Sequence, residues 1–354
     1  MKTTLRWIFR TCAVLILLIL LLTASLIAFL AVTEYRPQKR QPLEISGSRT
    51  GKVPSDTLTF LTWNIGYSGL GKEMDFFYDG GTRVRPAEPD FRQSLSGILE
   101  TVKNHDSLDF LLLQEVDLDS KRSFYENEAG KIGSITGHYR VFAANYNVRF
   151  VPVPLFSPMG KVVSGLLALS AFEPRAAVRI GFDERVSWPK RLIFLKRCFQ
   201  VLFFQLDNGK ELVVINIHNS AYDPEGKMRR NELAQLKEFI NSEYRKGNYV
   251  IAGGDWNDNP AGFMPGAIRT GDCVFEVKPR IDPGSFSGWI FAYDPHLPTN
   301  RNVDRPYVKG ITGTTIIDFF VVSPNVEILS VKTLGNNFAW SDHQPVLMKV
   351  RLRL

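Results

Sequence analysis

Residues 249–257 are Tyr-Val-Ile-Ala-Gly-Gly-Asp-Trp-Asn, and this stretch decides the fold class. Its apolar first half is typical of a strand that is covered on both faces of a sheet. Two polar side chains, Asp255 and Asn257, follow where the strand ends. An Asn or Asp after a strand is usually a turn residue, so the pattern indicates a functional site only if it recurs.

The pattern does recur at the ends of other apolar runs. Each of these runs stops at a residue that can bind a metal or transfer a proton, and loops at strand ends commonly carry function. The side chains at these strand ends are Asn64, Glu115 and His218, and Asp342 and His343 directly precede the last strand.

Asp318 has an unusual position, because apolar residues flank it on both sides in the run 316–322. A buried carboxylate needs a partner, and His343 is a natural candidate. A lone His218, by contrast, is more often a structural histidine. The ordered set of polar residues is harder to explain by chance.

Short apolar runs alternate with a few helical stretches, which predicts one layered α/β domain. The predicted helices are Phe91–Asn104 and Met228–Tyr244. The predicted strands are Thr57–Asn64, Phe110–Glu115, Tyr139–Ala144, Val162–Ser170, Cys198–Leu206, Leu212–Ile217, Tyr249–Asp255, Thr315–Val322, Val326–Thr333 and Pro345–Leu352.

From about residue 58 onward the chain resembles the endonuclease/exonuclease/phosphatase superfamily. The resemblance implies an α/β (α+β) fold, a four-layer αββα sandwich of two packed mixed β-sheets with outer helices. The motifs that carry it are Thr62-Trp63-Asn64-Ile65, Leu113-Gln114-Glu115-Val116, Ser164-Gly165-Leu166-Leu167-Ala168-Leu169-Ser170, Asn216-Ile217-His218, Gly254-Asp255-Trp256-Asn257, Ile317-Asp318-Phe319 and Ser341-Asp342-His343-Gln344-Pro345.

The resemblance also implies a Mg²⁺ cofactor, with Mn²⁺ as an alternative. Glu115 corresponds to the main metal ligand, Asn64 lies close to the metal, and Asp342 contributes to the same site. A hard cation that prefers oxygen ligands suits this set. Abasic-site endonucleases resemble one another in an acidic residue two positions after the first Asn, but here that residue is Gly66. This departure weakens a DNA-repair interpretation.

The remaining motif residues are implied to be catalytic. Asp255 corresponds to the residue that positions or deprotonates the attacking water, and Asn257 to one that bonds the phosphoryl oxygens. His343, held by Asp318, and His218 are implied to donate to the phosphate. The implied enzyme is a hydrolase of phosphoester bonds that forms no covalent intermediate.

The N-terminus carries a second strong signal. Thr11 to Val32 contains no charge, and as a helix it spans about 33 Å, enough for a bilayer core. We predict a basic flank over 1–10, a transmembrane helix over 11–33, a linker over 34–56 and the catalytic domain over 57–354. A cleaved signal peptide is the competing interpretation, but the apolar run is longer than usual and no clean cleavage site follows it.

The basic residues that precede the span slightly favour a cytoplasmic N-terminus. The prediction is therefore a single-pass membrane protein whose catalytic domain is extracytoplasmic. The membrane is the partner of the helix, and nothing in the sequence indicates an obligate protein partner.

The charge distribution argues against a domain built for nucleic-acid backbones. Although the formal charge is +7, residues 1–40 carry six basic residues and one acidic residue, which leaves 37 basic and 35 acidic residues for the rest. Cysteine is sparse, which argues against a zinc site. Whether Cys198 and Cys273 pair stays open.

Three functions remain. The first is hydrolysis of a lipid head group or another small phosphoester near the membrane, supported by the tether and by apolar residues in 146–158, which either pack on their own domain or dip into the membrane. The second is a surface or periplasmic nuclease, favoured by basic clusters at 190–191 and 196–197. The third is a catalytically inactive binding domain, which the intact motifs disfavour.

Overall fold

The computed structural model describes residues 2–47, 51–53, 57–183, 186–223, 225–264, 274–275 and 278–353. Its α-helices are α1 (Lys2–Val32), α2 (Glu88–Asn104), α3 (Glu128–Thr136) and α4 (Lys227–Arg245). Its strands are β1 (Arg40–Pro42), β2 (Ile45–Ser46), β3 (Leu58–Asn64), β4 (Phe110–Asp117), β5 (Tyr139–Val151), β6 (Gly160–Ser170), β7 (Ala176–Gly181), β8 (Cys198–Gln205), β9 (Glu211–His218), β10 (Tyr249–Asp255), β11 (Val274–Phe275), β12 (Ile290–Ala292), β13 (Asn300–Arg301), β14 (Gly313–Thr315), β15 (Asp318–Val322), β16 (Val326–Thr333) and β17 (Val346–Leu352).

Two large sheets form the centre of the domain. The first has the strand order β1-β7-β8-β9-β10-β15-β12, and the second has the order β16-β17-β3-β4-β6-β5-β2. Each sheet is mixed, because β9 and β10 are parallel in the first and β3 and β4 are parallel in the second, whereas the other pairs are antiparallel. A small third sheet has the order β11-β14-β13.

Aromatic and aliphatic side chains fill the space between the two sheets. Phe60 stacks on Phe110 with ring centroids 4.7 Å apart, and Phe320 of the opposite sheet meets Phe60 edge-on at 6.1 Å. The backbone of β10 approaches this layer so closely that a Cβ on Gly253 would lie 2.4 Å from the Phe320 ring. Such contacts supply most of the apolar burial that stabilises the fold.

Helices cover the outer faces of both sheets. Ile98 of α2 and Ile132 of α3 pack with Leu111 against the second sheet, and Leu236 and Ile240 of α4 pack against the first. The apolar stripe of α4 therefore faces the sheet, as its helical period predicts. The four-layer αββα fold class is confirmed.

The segment 34–56, predicted as a linker, requires a correction. Gln41 of β1 pairs with Arg179 of β7, and Ile45 of β2 pairs with Val141 of β5, so the segment adds an edge strand to each large sheet. Edge strands are held by backbone hydrogen bonds and need no apolar period, which explains why the sequence pattern did not indicate them. The sheets therefore begin before residue 57.

Other differences concern single elements. The predicted strand 315–322 is interrupted, because the backbone N–H groups of Ile317 and Asp318 both donate to Oγ1 of Thr299, and β15 begins at Asp318. β5 continues to Val151 and so includes part of the segment 146–158. Strand β7 and helix α3 were not predicted. Cys198 is buried in β8, and Cys273 lies outside the described residues, so their pairing stays open.

Helix α1 begins at Lys2 and ends at Val32, so it includes most of the predicted basic flank. By length and composition it is a candidate membrane span. A signal sequence near an N-terminus can have the same length and composition. Most of its side chains are exposed, but Leu30 near its end is buried against the domain.

Candidate active site

Three neighbouring strands of the first sheet present polar side chains at one edge. In the register of the sheet, Asp255 of β10 lies opposite His218 of β9 on one side and Asp318 of β15 on the other. Strands β9 and β10 are parallel, so their carboxyl ends meet at the same edge, where β15 begins. This topology brings together residues that are up to 100 positions apart in sequence.

The second sheet contributes two residues at the same end. Asn64 ends β3, and Glu115 lies near the end of the parallel neighbour β4, at a break in the register between Leu113 and Val116. Glu115 has a φ of +52°, in the left-handed region that residues with a side chain seldom adopt. Strain of this kind is typical of functional sites, and here it accompanies a Glu115 side chain that lines a cavity.

Asn64 connects the two sheets. Its Nδ2 donates to Oε1 of Glu115 at 3.3 Å and to Oδ2 of Asp255 at 3.1 Å. Its Oδ1 accepts the backbone N–H of Gly66 at 3.0 Å. Asn64 thus presents its amide nitrogen to the site, and it orients two carboxylates.

His343 makes the shortest contact between ionisable side chains in the site. Its Nδ1 lies 2.8 Å from Oδ2 of Asp318, and its Nε2 lies 3.0 Å from the side-chain amide of Asn300. Burial works against protonation of His343, but the charges of Asp318, Asp342 and Asp255 outweigh it and raise the pKa of the imidazole well above its ordinary value. Nδ1 of His343 can donate to Asp318, whereas Nε2 faces Nδ2 of Asn300, which also donates to the backbone carbonyl of Asp342 at 3.3 Å.

Asp255, Asp318 and His343 offer ligand atoms within 4.8 Å of one another, a spacing that could also hold a metal ion. The hydrogen bond between His343 and Asp318 argues against this use. The ring nitrogen that donates to Asp318 has no free lone pair for a metal. The group is better described as a histidine oriented by one carboxylate and facing another.

Asp342 lies on the other side of the imidazole, with its Oδ2 3.8 Å from Nε2 of His343. Burial raises the pKa of Asp342 to about 7, and although His343 opposes this, the charge of Glu115 adds to it. The carboxylates of Asp342 and Glu115 repel each other. A divalent cation bound by their oxygens would neutralise this repulsion. The residues present therefore fit Mg²⁺.

Asp255 and His218 form the opposite wall. Burial raises the pKa of Asp255, and it lowers the pKa of His218 with help from the charge of Arg197, so that His218 is neutral. The two side chains lie 3.4 Å apart, between Nε2 of His218 and Oδ2 of Asp255. Oδ1 of Asp255 accepts the backbone N–H of Asn257 at 2.9 Å, which places the Asn257 side chain beside it.

These residues surround a cavity of about 470 Å³. Asn64 and Asp318 lie behind the lining and bond to residues in it. The structure thus brings all eight sequence-predicted site residues together. Those that line the cavity are Glu115, His218, Asp255, Asn257, Asp342 and His343.

A family model described as the endonuclease/exonuclease/phosphatase family matches residues 61–343, which include every one of these side chains. The chain belongs to this family. The resemblance inferred from the sequence motifs is confirmed. Members of the endonuclease/exonuclease/phosphatase family hydrolyse phosphoester bonds, so the chain is a phosphoester hydrolase by family.

Solved structures share the fold of the family at low identity. A Beutenbergia cavernae endonuclease/exonuclease/phosphatase is 15% identical with a TM-score of 0.54 over 84% of this chain and 72% of its own. A Leptotrichia buccalis family protein is 12% identical with a TM-score of 0.51 over 83% and 100%. ANGEL2, described as a 2′,3′-cyclic phosphatase in complex with adenosine-2′,3′-vanadate, is 17% identical with a TM-score of 0.55 over 88% and 99%. No curated protein sequence matches significantly.

Sequence reasoning missed Asn300, which contacts Nε2 of His343. Arg301 is buried, and its NH2 donates to the backbone carbonyls of Leu70, Gly71 and Met74, at 3.2, 2.8 and 3.2 Å. Arg301 therefore fastens the loop after β3 to the site. The polar run 299–301 was the available signal, but it did not reveal which backbone groups it meets.

Proposed function

We propose that the protein is a Mg²⁺-dependent hydrolase of phosphoester bonds, tethered to a membrane by α1. The observation that carries the proposal is the convergence of an oriented histidine, a buried carboxylate and a pair of mutually repelling carboxylates on one cavity. Family membership supports the reaction class. The metal, the individual roles and the tether are the parts that experiments must test.

Glu115 and Asp342 would hold the metal, and Asn64 would fix the orientation of Glu115 through its 3.3 Å hydrogen bond. A bound Mg²⁺ supplies Lewis-acid polarisation of a phosphoryl oxygen. Mn²⁺ has the same preference for oxygen ligands and is the expected substitute. This assignment modifies the sequence-based prediction for Asn64, which now acts through a carboxylate.

Asp255 is the proposed base for the attacking water. Its raised pKa makes the ionised carboxylate a better proton acceptor, and Asn64 and the backbone of Asn257 hold both of its oxygens in place. The water oxygen bonds to phosphorus as Asp255 takes the proton, and the ester P–O bond breaks with its electron pair on the departing oxygen, which takes up a proton from solvent and leaves as the alcohol. The Asn257 side chain lines the cavity beside it and would donate to a phosphoryl oxygen.

The two histidines would stabilise the charge that grows on the phosphoryl group. Asp318 orients His343, and its charge helps to raise the pKa of the imidazole, so the protonated ring would offer a positively charged donor to the cavity. His218 is neutral and buried, and it offers an N–H without adding charge. Hydrogen bonds from donors that are already in position become stronger as charge grows on the phosphoryl group. Because they are stronger in the transition state than in the ground state, they accelerate the reaction.

A nuclease is the second candidate, and one observation favours it. The basic side chains of Lys190, Arg197 and Lys278 line the cavity around the acidic centre and would attract a polyanion. The fold is also shared by ANGEL2, whose bound analogue is an adenosine-2′,3′-vanadate. The near-neutral charge of residues 41–354 favours the first candidate.

A substrate panel tests the proposal directly. Full-length protein in detergent, with and without Mg²⁺, is assayed on bis-p-nitrophenyl phosphate, phospholipids, inositol phosphates, single- and double-stranded DNA and RNA. We expect metal-dependent turnover of at least one phosphoester. Failure on every substrate by well-folded protein would favour the catalytically inactive binding domain, and a preference for nucleic acid would favour the nuclease.

A further inference from the structure

The end of helix α1 is fixed to the catalytic domain by apolar contacts. Leu30 is buried, and Leu26, Ile27 and Ala31 are half-buried in the same apolar cluster. The domain side of this cluster includes residues of β5 and of the turn that follows it. These residues are Val148, Phe150, Val151 and Val153.

Ion pairs fix the same junction. Glu34, two residues after α1 ends, lies 3.3 Å from Nζ of Lys196 and 3.6 Å from Nε of Arg191. The segment 190–196 is therefore attached to the end of the helix, so the domain does not swing freely. Lys190 and Arg191 are exposed on this segment, and Trp188 just before it is 59% exposed. Basic residues and tryptophan are typical of the surface of a bilayer.

The helix sets the level at which the membrane would meet the domain. The uncharged run ends at Val32, and six residues of helix from Leu26 to Val32 rise about 9 Å. If the run occupies the hydrocarbon core, the side chains that pack against Leu26 and Ile27 lie within that core, no more than about 9 Å from its edge. Phe150 and Val153 belong to this cluster.

The turn between β5 and β6 extends beyond this contact and is apolar at its tip. Leu155 is 79% exposed and Phe156 is 98% exposed. The backbone N–H of Met159 donates to the carbonyl of Val153 at 3.0 Å, which closes the turn and holds the two side chains outward. Large apolar side chains so fully exposed beside a candidate membrane span fit a bilayer better than water.

The lining of the cavity includes side chains of the same apolar cluster. Ile193 and Leu195, on the segment that contacts Glu34, and Met159, at the end of the turn, line the cavity and belong to the same apolar cluster as Leu30. Glu115 of the acidic centre lines the same cavity. The cavity therefore offers apolar side chains as well as the charged side chains of the proposed site.

We propose that the turn 154–158 inserts its tip, Leu155 and Phe156, into the bilayer that holds α1, and that the cavity takes a phospholipid from that bilayer. The phosphate of the head group would meet the acidic centre, and the apolar part of the lipid would lie along Met159, Ile193 and Leu195. This inference rests on the proposed function and names its substrate class.

The test compares two substrates in one preparation. Full-length protein is reconstituted into vesicles of equal parts phosphatidylcholine, phosphatidylethanolamine and phosphatidylglycerol, each in turn labelled in its head group. Release of the label into water measures lipid hydrolysis, and bis-p-nitrophenyl phosphate measures the hydrolysis of a soluble phosphodiester. The variants are Leu155→Ser with Phe156→Ser and, as a matched control on β16 at the opposite edge of the same sheet, Leu329→Ser.

We expect the double variant to hydrolyse lipid at least about tenfold more slowly while its turnover of the soluble diester is unchanged. Leu329→Ser should alter neither rate. Unchanged lipid turnover in the double variant would overturn the proposal, as would a wild type that hydrolyses the soluble diester but no vesicle lipid. A wild type that hydrolyses neither would instead overturn the proposed function.

Insertion of the turn is measured without turnover. Phe156→Cys, in a background with Cys12→Ser and Cys273→Ser, is labelled with an environment-sensitive fluorophore and compared with Leu329→Cys. We expect the emission at residue 156 to shift to the blue in vesicles, whereas the emission at residue 329 stays that of an aqueous site. Equal, water-like emission at both positions would show that the turn stays outside the bilayer.

Discussion

Nδ1 of His343 lies 2.8 Å from Oδ2 of Asp318, although 25 residues separate them and neither is exposed. The pair joins the loop before β17 in the second sheet to the start of β15 in the first. Its position predicts that the two residues act as one unit in catalysis. His343 would be the donor, and Asp318 would hold its orientation and charge.

His343→Ala should lower kcat by about a hundredfold or more, which is typical for the loss of a transition-state donor. Asp318→Asn should lower kcat by the same factor or by less. The kcat of the double variant should be little lower than that of His343→Ala, because the effects of residues that act as a unit are not additive. The matched control is His138→Ala, a buried histidine that bonds the carbonyls of Thr136 and Leu108 outside the site. It should change the melting temperature but not kcat, and full additivity of the two kinetic losses would rule out the pairing.

Removal of divalent ions should abolish activity, and Mg²⁺ or Mn²⁺ should restore it. A ligand that binds only the folded state stabilises it, so Mg²⁺ should also raise the melting temperature of the wild type. Glu115→Gln and Asp342→Asn should lose this shift, whereas the control Glu243→Gln, in α4, should keep it. Restoration by zinc alone, or an unchanged shift in Glu115→Gln, would show that the ligands are assigned wrongly.

Asn216→Ala should destabilise the domain, because Asn216 connects the two sheets in the core. Its Oδ1 accepts from Nε2 of Gln114 at 2.7 Å, and its Nδ2 donates to the carbonyl of Leu113 at 3.1 Å. Removal leaves buried polar groups unpaired and a small cavity, so we expect a loss of about 3 kcal/mol in the free energy of unfolding. Chemical denaturation measures this loss. The control Asn208→Ala, in an exposed turn, should cost clearly less, and equal losses would contradict the role of the core contact.

Glu128 should make stability fall with rising pH. Burial, together with the charge of Asp117, raises the pKa of Glu128 to about 8, above the value of 4.5 expected in the unfolded chain. Between these values the folded state binds the proton more tightly, so the stabilisation present below pH 4.5 is lost as pH rises through 8. The slope for one proton is at most about 1.4 kcal/mol per pH unit.

The measurement is the free energy of unfolding from pH 5 to 8 for wild type and Glu128→Gln. The amide keeps an acceptor for the backbone N–H of Asp117, which lies 2.8 Å from Oε2 of Glu128, but it does not titrate. The fall should therefore be smaller in Glu128→Gln. Glu126→Gln should retain the fall, because neighbouring Lys131 and Arg92 lower the pKa of Glu126. Parallel curves for wild type and Glu128→Gln would contradict the assignment.

By itself the sequence indicated the central strands of both large sheets and the candidate site residues, and the resemblance of its motifs to a known family indicated the fold class. Apolar runs such as 249–255 form strands wherever both faces are covered, because burial of apolar surface depends on local pattern. The polar residues that end them, such as Asp255, are visible as interruptions of that pattern. The uncharged run 11–32 is likewise a local property.

The tertiary structure alone decided what each of these residues contacts. Asn64 orients Glu115 because β3 and β4 end together, and Arg301 holds backbone carbonyls of a loop 230 residues away in sequence. The strands in 40–46 were hidden because backbone hydrogen bonds at a sheet edge leave no mark on side-chain composition. The contact between α1 and the turn after β5 likewise leaves no local pattern in the sequence. Hydrogen bonds and packing between distant segments depend on where the sheets bring them, and no local pattern encodes that position.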